Sequence, residues 1–151
     1  MLTGMLVLGG LLTACQPAPP EITWFGNRTA VAEGPALYCE LADDLTPNCS
    51  VTDGPTAQLS LYPGDGVQVN IPAEVADRPW LIVVSYADGS SSTRTPVIND
   101  DGQTLSWTVQ PGGHPLQHLE LQVLTVVADA DGQPQFTPYQ VWALEITRLG
   151  G

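Results

Sequence analysis

The chain has 151 residues, of which 43% are hydrophobic and 13% are charged, and its formal net charge is -12. This length and composition predict one packed domain of ordinary size and exclude a disordered acidic tail. Because four arginines and no lysine stand against 16 acidic residues, the chain repels phosphate backbones, and we predict no nucleic-acid partner.

Residues 1–14 are predicted to be a lipoprotein signal peptide. An apolar run is followed by the small residues Thr13 and Ala14 immediately before Cys15, and this order matches the bacterial lipobox. In that pathway the cysteine thiol receives diacylglycerol and a peptidase then frees the amine, so Cys15 becomes the lipidated first residue. A transmembrane helix is the alternative, but the run is shorter than the roughly 18–20 residues that span a bilayer.

The predicted consequence is an anchor at the outer face of the cytoplasmic membrane, because two or more acyl chains suffice for stable residence there. Residues 15–20 include three prolines and are predicted to form an extended tether. No Lys or Arg occurs before Arg28, whereas a signal peptide normally opens with basic residues. We therefore expect the natural start to lie upstream.

Residues 21–149 are predicted to form a single β-sandwich domain. Apolar residues recur at every second position between turns rich in Gly, Pro and Asp, which is the pattern of half-buried strands. Val67, Val69 and Ile71 alternate in this way, whereas 80–84 is apolar throughout, as in a central strand. The predicted strands cover 21–25, 36–41, 57–62, 66–71, 80–84, 91–98, 104–109, 119–127 and 139–146.

These elements predict an all-β fold, an immunoglobulin-like antiparallel β-sandwich of about eight or nine strands. Residues 72–77 are predicted to form a single helical turn that crosses between the sheets. The two longest strands, 119–127 and 139–146, are predicted to pair as an antiparallel hairpin, because the Asp131-Gly132 step suits a tight turn with positive φ.

The chain has three cysteines, and assigning Cys15 to lipid leaves Cys39 and Cys49 as a pair. Outside the cytoplasm this pair is predicted to oxidise to a disulfide that closes a short loop. The alternative is a metal site that adds His114 and His118, which lie four residues apart as zinc ligands often do. Because glycine and proline surround His114, a loop is predicted there in place of an aligning helix, and no metal is assigned.

The sequence contains no GxSxG, HExxH, P-loop or dinucleotide-binding motif, so we predict no enzyme, no catalytic residue and no cofactor. Four tryptophans stand at positions 24, 80, 107 and 142. Stacking on a sugar is one role for them, but core packing is favoured for most. A binding surface is predicted on loops carried by the sandwich, with Tyr38 and His114 as its candidate residues.

Three segments carry a resemblance to a known family, namely ALYCELADDLTPNC at 36–49, YPGDGVQVNIPAEVADRPWLIVVSY at 62–86 and VWALEIT at 141–147. Together with the lipobox they resemble an uncharacterised family of actinobacterial lipoproteins, domain-of-unknown-function family 2771. The resemblance covers nearly all of the chain after Cys15. It implies a cell-envelope location and supplies no biochemical activity.

Two functions are left open by the sequence. The first is a non-enzymatic module that binds another envelope protein, as an accessory subunit of a membrane complex does. The second is a carrier for a small ligand, a lipid or a glycan, held in a pocket lined by Trp and Leu side chains. Protein binding is favoured, because small sandwiches usually fill their interiors with side chains.

Overall fold

The computed structural model describes residues 18–41, 47–52, 56–89 and 92–150. The predicted signal peptide and Cys15 lie outside these residues. The described residues form eleven strands and one short helix, α1, at the helical turn that the sequence predicts. The elements are β1 (Ile22–Gly26), β2 (Thr29–Glu33), β3 (Leu37–Leu41), β4 (Pro47–Val51), β5 (Ala57–Leu61), β6 (Val67–Asn70), α1 (Ala73–Ala76), β7 (Trp80–Tyr86), β8 (Ser92–Arg94), β9 (Ser106–Val109), β10 (Leu116–Ala128) and β11 (Pro134–Arg148).

The strands form two sheets, and the all-β sandwich prediction is confirmed. The smaller sheet has the order β2-β1-β6-β9, and the larger has the order β4-β3-β11-β10-β7-β8, with β5 also paired to β11. Every strand pairing is antiparallel except that of β5 with β11, which is parallel. The edge of β11 is shared, since β3 pairs with its middle and β5 pairs with its end.

Two described strands, β2 and β4, were not predicted from the sequence. All five residues of β4 are exposed, and β2 has no fully buried residue. Both strands therefore lack the alternation of apolar and polar residues that a half-buried strand shows. β2 pairs with β1 and β4 pairs with β3, so each lies at the edge of its sheet.

The core between the sheets is filled by aromatic and branched side chains. Trp24, Trp80 and Trp142 have no solvent exposure, and Trp107 is half-buried with its ring edge-on to Trp80 at a centroid distance of 6.2 Å. The core-packing interpretation of the tryptophans is confirmed. Leu105 falls within the predicted strand 104–109, but it lies before the first residue of β9 and is 46% exposed.

The hairpin of β10 and β11 is confirmed and is longer than predicted. The Asp129 carboxylate accepts the backbone N–H groups of Asp131 and Gln133 at 2.9 and 2.8 Å, and Gly132 takes a φ of 77° in the turn. Val123 pairs with Gln140 but Leu124 pairs with Pro138, so one extra residue of β11, Tyr139, forms a β-bulge.

The disulfide between Cys39 and Cys49 is confirmed. The two residues are direct partners in the register of β3 and β4, so the bond joins two neighbouring strands. Cys39 is buried and packs in the core cluster, whereas Cys49 lies on the exposed outer strand. The bond therefore attaches an edge strand with no buried side chain to the packed interior.

Candidate functional site

The chain that precedes β1 lies against the sandwich at residues 18–20. The indole N–H of Trp142 donates a hydrogen bond to the carbonyl oxygen of Pro20 at 3.1 Å. Trp142 is completely buried, so this contact is held in place by the core. The last residue of the predicted tether is thus attached to the domain.

Two surface cavities flank Tyr38 beside this segment, and we call them together the Tyr38 cleft. One has a volume of about 420 Å³ and lies between residues 18–21, the end of β2 and the β3–β4 hairpin. The other has a volume of about 510 Å³ and lies between Tyr38, Arg78 and the bulge of β11. Ala18 and Tyr38 line both cavities.

The β-bulge builds one wall of this cleft. Without a bulge, consecutive residues of a strand point to opposite faces, but a bulge lets two neighbours approach the same side. Tyr139 and Gln140 are both buried, and the amide of Gln140 donates to the hydroxyl of Tyr139 at 3.3 Å. Gln140 is also the register partner of Tyr38 in β3.

Arg78 adds a cation to this wall. Its guanidinium donates a hydrogen bond to the hydroxyl of Tyr139 and lies 5.3 Å from the centre of the Tyr139 ring, within the range of a cation–π contact. The amide of Gln140 donates to the backbone oxygen of Cys39 at 3.4 Å. These contacts connect the start of β7, the bulge and the disulfide-linked strand.

The charge of the cleft is negative. Its lining residues include four carboxyl groups and one guanidinium, contributed by Glu21, Glu33, Glu40, Glu74 and Arg78. Burial, and after it the negative charge of Glu40, raise the pKa of the Tyr38 hydroxyl above its ordinary value. Tyr38 therefore remains protonated at neutral pH and offers both a hydrogen-bond donor and an aromatic surface.

Glu33 sits where the two sheets meet at the edge of the cleft. One carboxylate oxygen accepts the backbone N–H of Ala57 at 2.6 Å and so joins β2 to β5. The other oxygen is buried and has no hydrogen-bond partner within the described residues. Burial raises the pKa of Glu33, and the bond from Ala57 opposes this effect only in part.

Replacing Glu33 with glutamine is expected to change how stability depends on pH. The folded state disfavours the charged carboxylate, so wild-type stability increases as pH falls from neutral through the raised pKa towards the ordinary value of 4.5. The Glu33→Gln variant lacks this increase. Urea unfolding at several pH values should find that the free energy of unfolding of the variant, relative to that of wild type, is highest at neutral pH and lower near pH 5.

The matched control is Glu21→Gln, which removes the same formal charge from an exposed position beside the same cavity. A stability difference between wild type and Glu33→Gln that stays constant from neutral pH to pH 5 would contradict the assignment of a raised pKa to Glu33.

His114, the second predicted binding residue, lies far from Tyr38. Its ring is 56% exposed, contacts Asp88 at 2.8 Å and lies 5.8 Å from the Tyr86 ring. His114 therefore lies beside Tyr86, the last residue of β7. Tyr38 shares a cavity with Arg78, which stands two residues before the start of β7. A strand of seven residues spans roughly 20 Å, so the structure places the two predicted residues at opposite ends of the sandwich.

The two histidines of the metal alternative occupy different environments. His114 lies in a loop, as predicted, whereas His118 lies in β10. The ring nitrogens of His118 contact the carboxylates of Glu145 and Glu120 at 2.7 and 3.1 Å. Both nitrogens are therefore engaged. Across the ranges that the structure covers, no group of three or more His, Cys, Asp or Glu side chains is placed to hold a metal ion.

Sequence comparison identifies the family of the chain. The family model described as a protein of unknown function, DUF2771, matches residues 15–147. The chain belongs to the DUF2771 family. This match begins at Cys15 and includes the whole Tyr38 cleft, and the predicted membership of family 2771 is confirmed.

Proteins similar to this DUF2771 chain come from mycobacteria. The uncharacterized protein Mb0899c of Mycobacterium bovis is 27% identical over 131 residues, which cover 86% of this chain and 79% of that protein. The uncharacterized proteins MT0898 and Rv0875c of Mycobacterium tuberculosis show the same identity and coverage. No solved structure matches the chain significantly.

No helix in the described part of this DUF2771 chain has the length and apolar character needed to cross a membrane.

Proposed function

We propose that this protein is a non-enzymatic, lipid-anchored module of the cell envelope that binds a partner protein through the Tyr38 cleft, close to the outer face of the cytoplasmic membrane. One observation carries the proposal. The cleft is built against residues 18–20, the segment that leads back to the lipobox cysteine, Cys15.

The distance from the anchor supports a position near the membrane. Ala18 is the third residue after Cys15, and three residue steps of extended chain span at most about 11 Å. Pro20 is held to the core by Trp142, so the tether adds little reach beyond that span. An anchored Cys15 would hold the cleft within reach of the membrane-proximal part of an integral membrane protein.

The charge and surface of the cleft define the partner by its chemistry. Four carboxyl groups outnumber the single guanidinium, and the whole chain carries a net charge of -12. Opposite charge steers association and fixes the register of an interface. Tyr38 and the proline-rich walls supply aromatic and apolar contact area. The fitting partner is a basic segment with apolar residues, presented by an envelope protein.

The anchor is tested by fractionation of cells that express Cys15→Ser. Wild-type protein should remain with the membranes after high-salt washing and carry the mass of added acyl chains, because several acyl chains resist salt. The serine variant should appear in the soluble fraction without that mass. An unmodified Cys15 in the membrane-bound wild type would contradict the anchor.

The binding site is tested by recovery of a partner from detergent-solubilised membranes. Tyr38→Ala is expected to weaken binding roughly thirtyfold, the loss typical of an aromatic residue at the centre of an interface. Glu40→Arg, which reverses one exposed charge of the cleft, should weaken it as well. The control is His114→Ala, an exposed change at the opposite end of the sandwich, which should leave recovery unchanged. Equal recovery with all three variants would overturn the proposal.

A small-ligand carrier is the second candidate, and the cavity volumes of about 420 and 510 Å³ favour it. Ligand pockets commonly have volumes of about 300–1,000 Å³. Between the two sheets the space is filled by buried side chains such as Trp24, Trp80 and Trp142, so the surface cleft is the favoured place for a ligand. Native mass spectrometry of purified protein separates the candidates, because a stoichiometric lipid or glycan that disappears in Tyr38→Ala would favour the carrier.

A further inference from the structure

The smaller sheet presents two rows of side chains on its outer surface. Trp24, Val69 and Trp107 are register partners that pack on the core side, so the residues before and after them in each strand point outward. One outward row crosses the sheet as Ala30, Phe25, Gln68 and Thr108. The other crosses it as Ala32, Thr23, Asn70 and Ser106. We call these eight residues, two rows of four, the neutral face.

No residue of the neutral face is charged, although the chain has a net charge of -12. The outer surface of the larger sheet differs, because there His118 contacts the carboxylates of Glu120 and Glu145. Every residue of the neutral face is exposed except Thr23, which is half-buried. The face therefore presents hydroxyl and amide groups around one aromatic ring, with no ionised group among them.

Most polar groups of the neutral face are available to a ligand. The amide of Gln68 donates to the side-chain oxygen of Asn70 at 3.1 Å, which orients the two amides and leaves the Gln68 oxygen and the Asn70 N–H groups for other partners. Within the described residues the hydroxyls of Thr23, Ser106 and Thr108 have no hydrogen-bond partner. Hydroxyl and amide groups both donate and accept, so the face matches a ligand that does the same.

A surface cavity of about 300 Å³ lies over the first of these rows. Phe25, Gln68 and Thr108 line it, and Phe25 is 39% exposed. Ala30, the partner of Phe25 in β2, adds only a methyl group beside the ring. Neighbouring strands lie about 4.8 Å apart, so a row across four strands spans roughly 14 Å. This length suits an extended chain of sugar rings better than a single small molecule.

Arg28 stands at the rim of this cavity in an unusual backbone conformation. Asn27 and Arg28 form the turn between β1 and β2, with φ values of 46° and 60°. Such two-residue turns favour glycine at the second position, and a residue with a side chain is strained there. Arg28 is exposed, and within the described residues its guanidinium has no hydrogen-bond or ion-pair partner. The turn thus keeps an available donor beside Phe25 at a position where glycine would be relaxed.

We propose that the neutral face binds an uncharged glycan, with one sugar ring against Phe25 and sugar hydroxyls hydrogen-bonded to Gln68, Thr108 and Arg28. The C–H groups on one side of a sugar ring pack against an aromatic ring, and its hydroxyls use the donors and acceptors around that ring. No residue of the neutral face lines the Tyr38 cleft, so this site goes beyond the proposed binding of a partner protein.

Charge selects this class of ligand for the neutral face. The net charge of -12 repels polyanions, and the face has no carboxylate that would bind a cationic segment. Phe25 is its one large apolar side chain, whereas the centre of a protein interface is rich in apolar area. An uncharged ligand with many hydroxyl groups is therefore the best match in both charge and hydrogen bonding.

Binding of the full-length protein to immobilised polysaccharides tests this site. The probes are a neutral mannan, a neutral glucan and a neutral galactan, each compared with its carboxymethylated form. The protein is kept in a polyoxyethylene detergent, which carries no sugar. Wild type is expected to bind at least one neutral polymer and to bind the carboxymethylated form of that polymer more weakly, because the added carboxylates meet a protein of the same sign.

Three variants locate the binding on the neutral face. Phe25→Ala should weaken it about tenfold or more, through loss of the aromatic contact. Phe136→Ala is the matched control, because it removes a phenylalanine that is 60% exposed on the larger sheet, and it should leave binding unchanged. Arg28→Gly should raise the melting temperature, since glycine adopts a positive φ without strain, and should still weaken binding. A loss of binding in a more stable protein cannot come from misfolding.

Four results would overturn the proposal. They are failure of all three neutral polymers to bind, equally tight binding of the carboxymethylated polymers, and equal effects of Phe25→Ala and Phe136→Ala. The fourth is a wild-type dimer in detergent that Phe25→Ala converts to a monomer, because a second copy would then occupy the neutral face.

Discussion

Replacing Trp142 with alanine is expected to lower the free energy of unfolding by about 3–5 kcal/mol, the range found for large aromatic residues in packed cores. Trp142 has no solvent exposure, lies in β11 between β3 and β10, and holds Pro20 through its indole N–H. The change leaves a cavity where the two sheets meet the N-terminal segment. Urea unfolding followed by tryptophan fluorescence and circular dichroism measures it.

The control for this change is Trp142→Phe, which keeps an aromatic ring but loses the N–H. A loss of about 1–2 kcal/mol is expected, from one hydrogen bond and a modest decrease in volume. The comparison therefore separates the packing of the indole from its contact with Pro20. Similar stabilities of the alanine and wild-type proteins would contradict the placement of Trp142 at the centre of the core.

Removing the disulfide with Cys39→Ser and Cys49→Ser together is expected to cost about 2.5–3 kcal/mol, the value of the chain-entropy model for a loop of this length. The two cysteines are ten residues apart, so the bond restricts a short part of the unfolded chain. β4 has no buried residue and depends on this bond more than the other strands do.

Addition of a thiol reductant to the wild-type protein should reproduce the same loss of stability, and the double serine variant should no longer respond to it. Hydrogen exchange should find the loss concentrated in β3 and β4. A reductant effect that persists in the double variant would show that another thiol is responsible.

The strands with clear alternation were predictable from the sequence because they each bury one face. In β6, for example, Val67 and Val69 are buried while Gln68 and Asn70 are exposed. The hairpin was predictable from its turn, where Asp129 and Gly132 supply a side-chain acceptor and a positive φ. In these elements local preference and burial favour the same structure.

Other features depend on partners that are distant in the sequence. β5 pairs in parallel with β11, more than eighty residues away, and no pattern within β5 indicates its direction. The bulge at Tyr139 has no local sequence marker, since it arises from a register shift between two long strands. Strands β2 and β4 are edges whose pairing is supplied by their neighbours.

The candidate site was predictable only in part. Tyr38 is a predicted binding residue that precedes Cys39 in the sequence, and it lines both cavities of the cleft. Arg78, Tyr139 and Gln140 meet it through the bulge and the start of β7, which the sequence alone does not bring together. Glu33 acquires its buried environment only when β2 and β5 meet at Ala57.

The hydrogen bond from Trp142 to Pro20 has a mechanical consequence. A pull on the N-terminal segment acts first on an indole buried in the core and anchored in β11. That strand is paired on both sides, with β10 along one edge and with β3 and β5 along the other. Tension on the N-terminal segment therefore reaches the middle strand of the larger sheet through one side-chain hydrogen bond before it begins to peel β1 from β2 and β6.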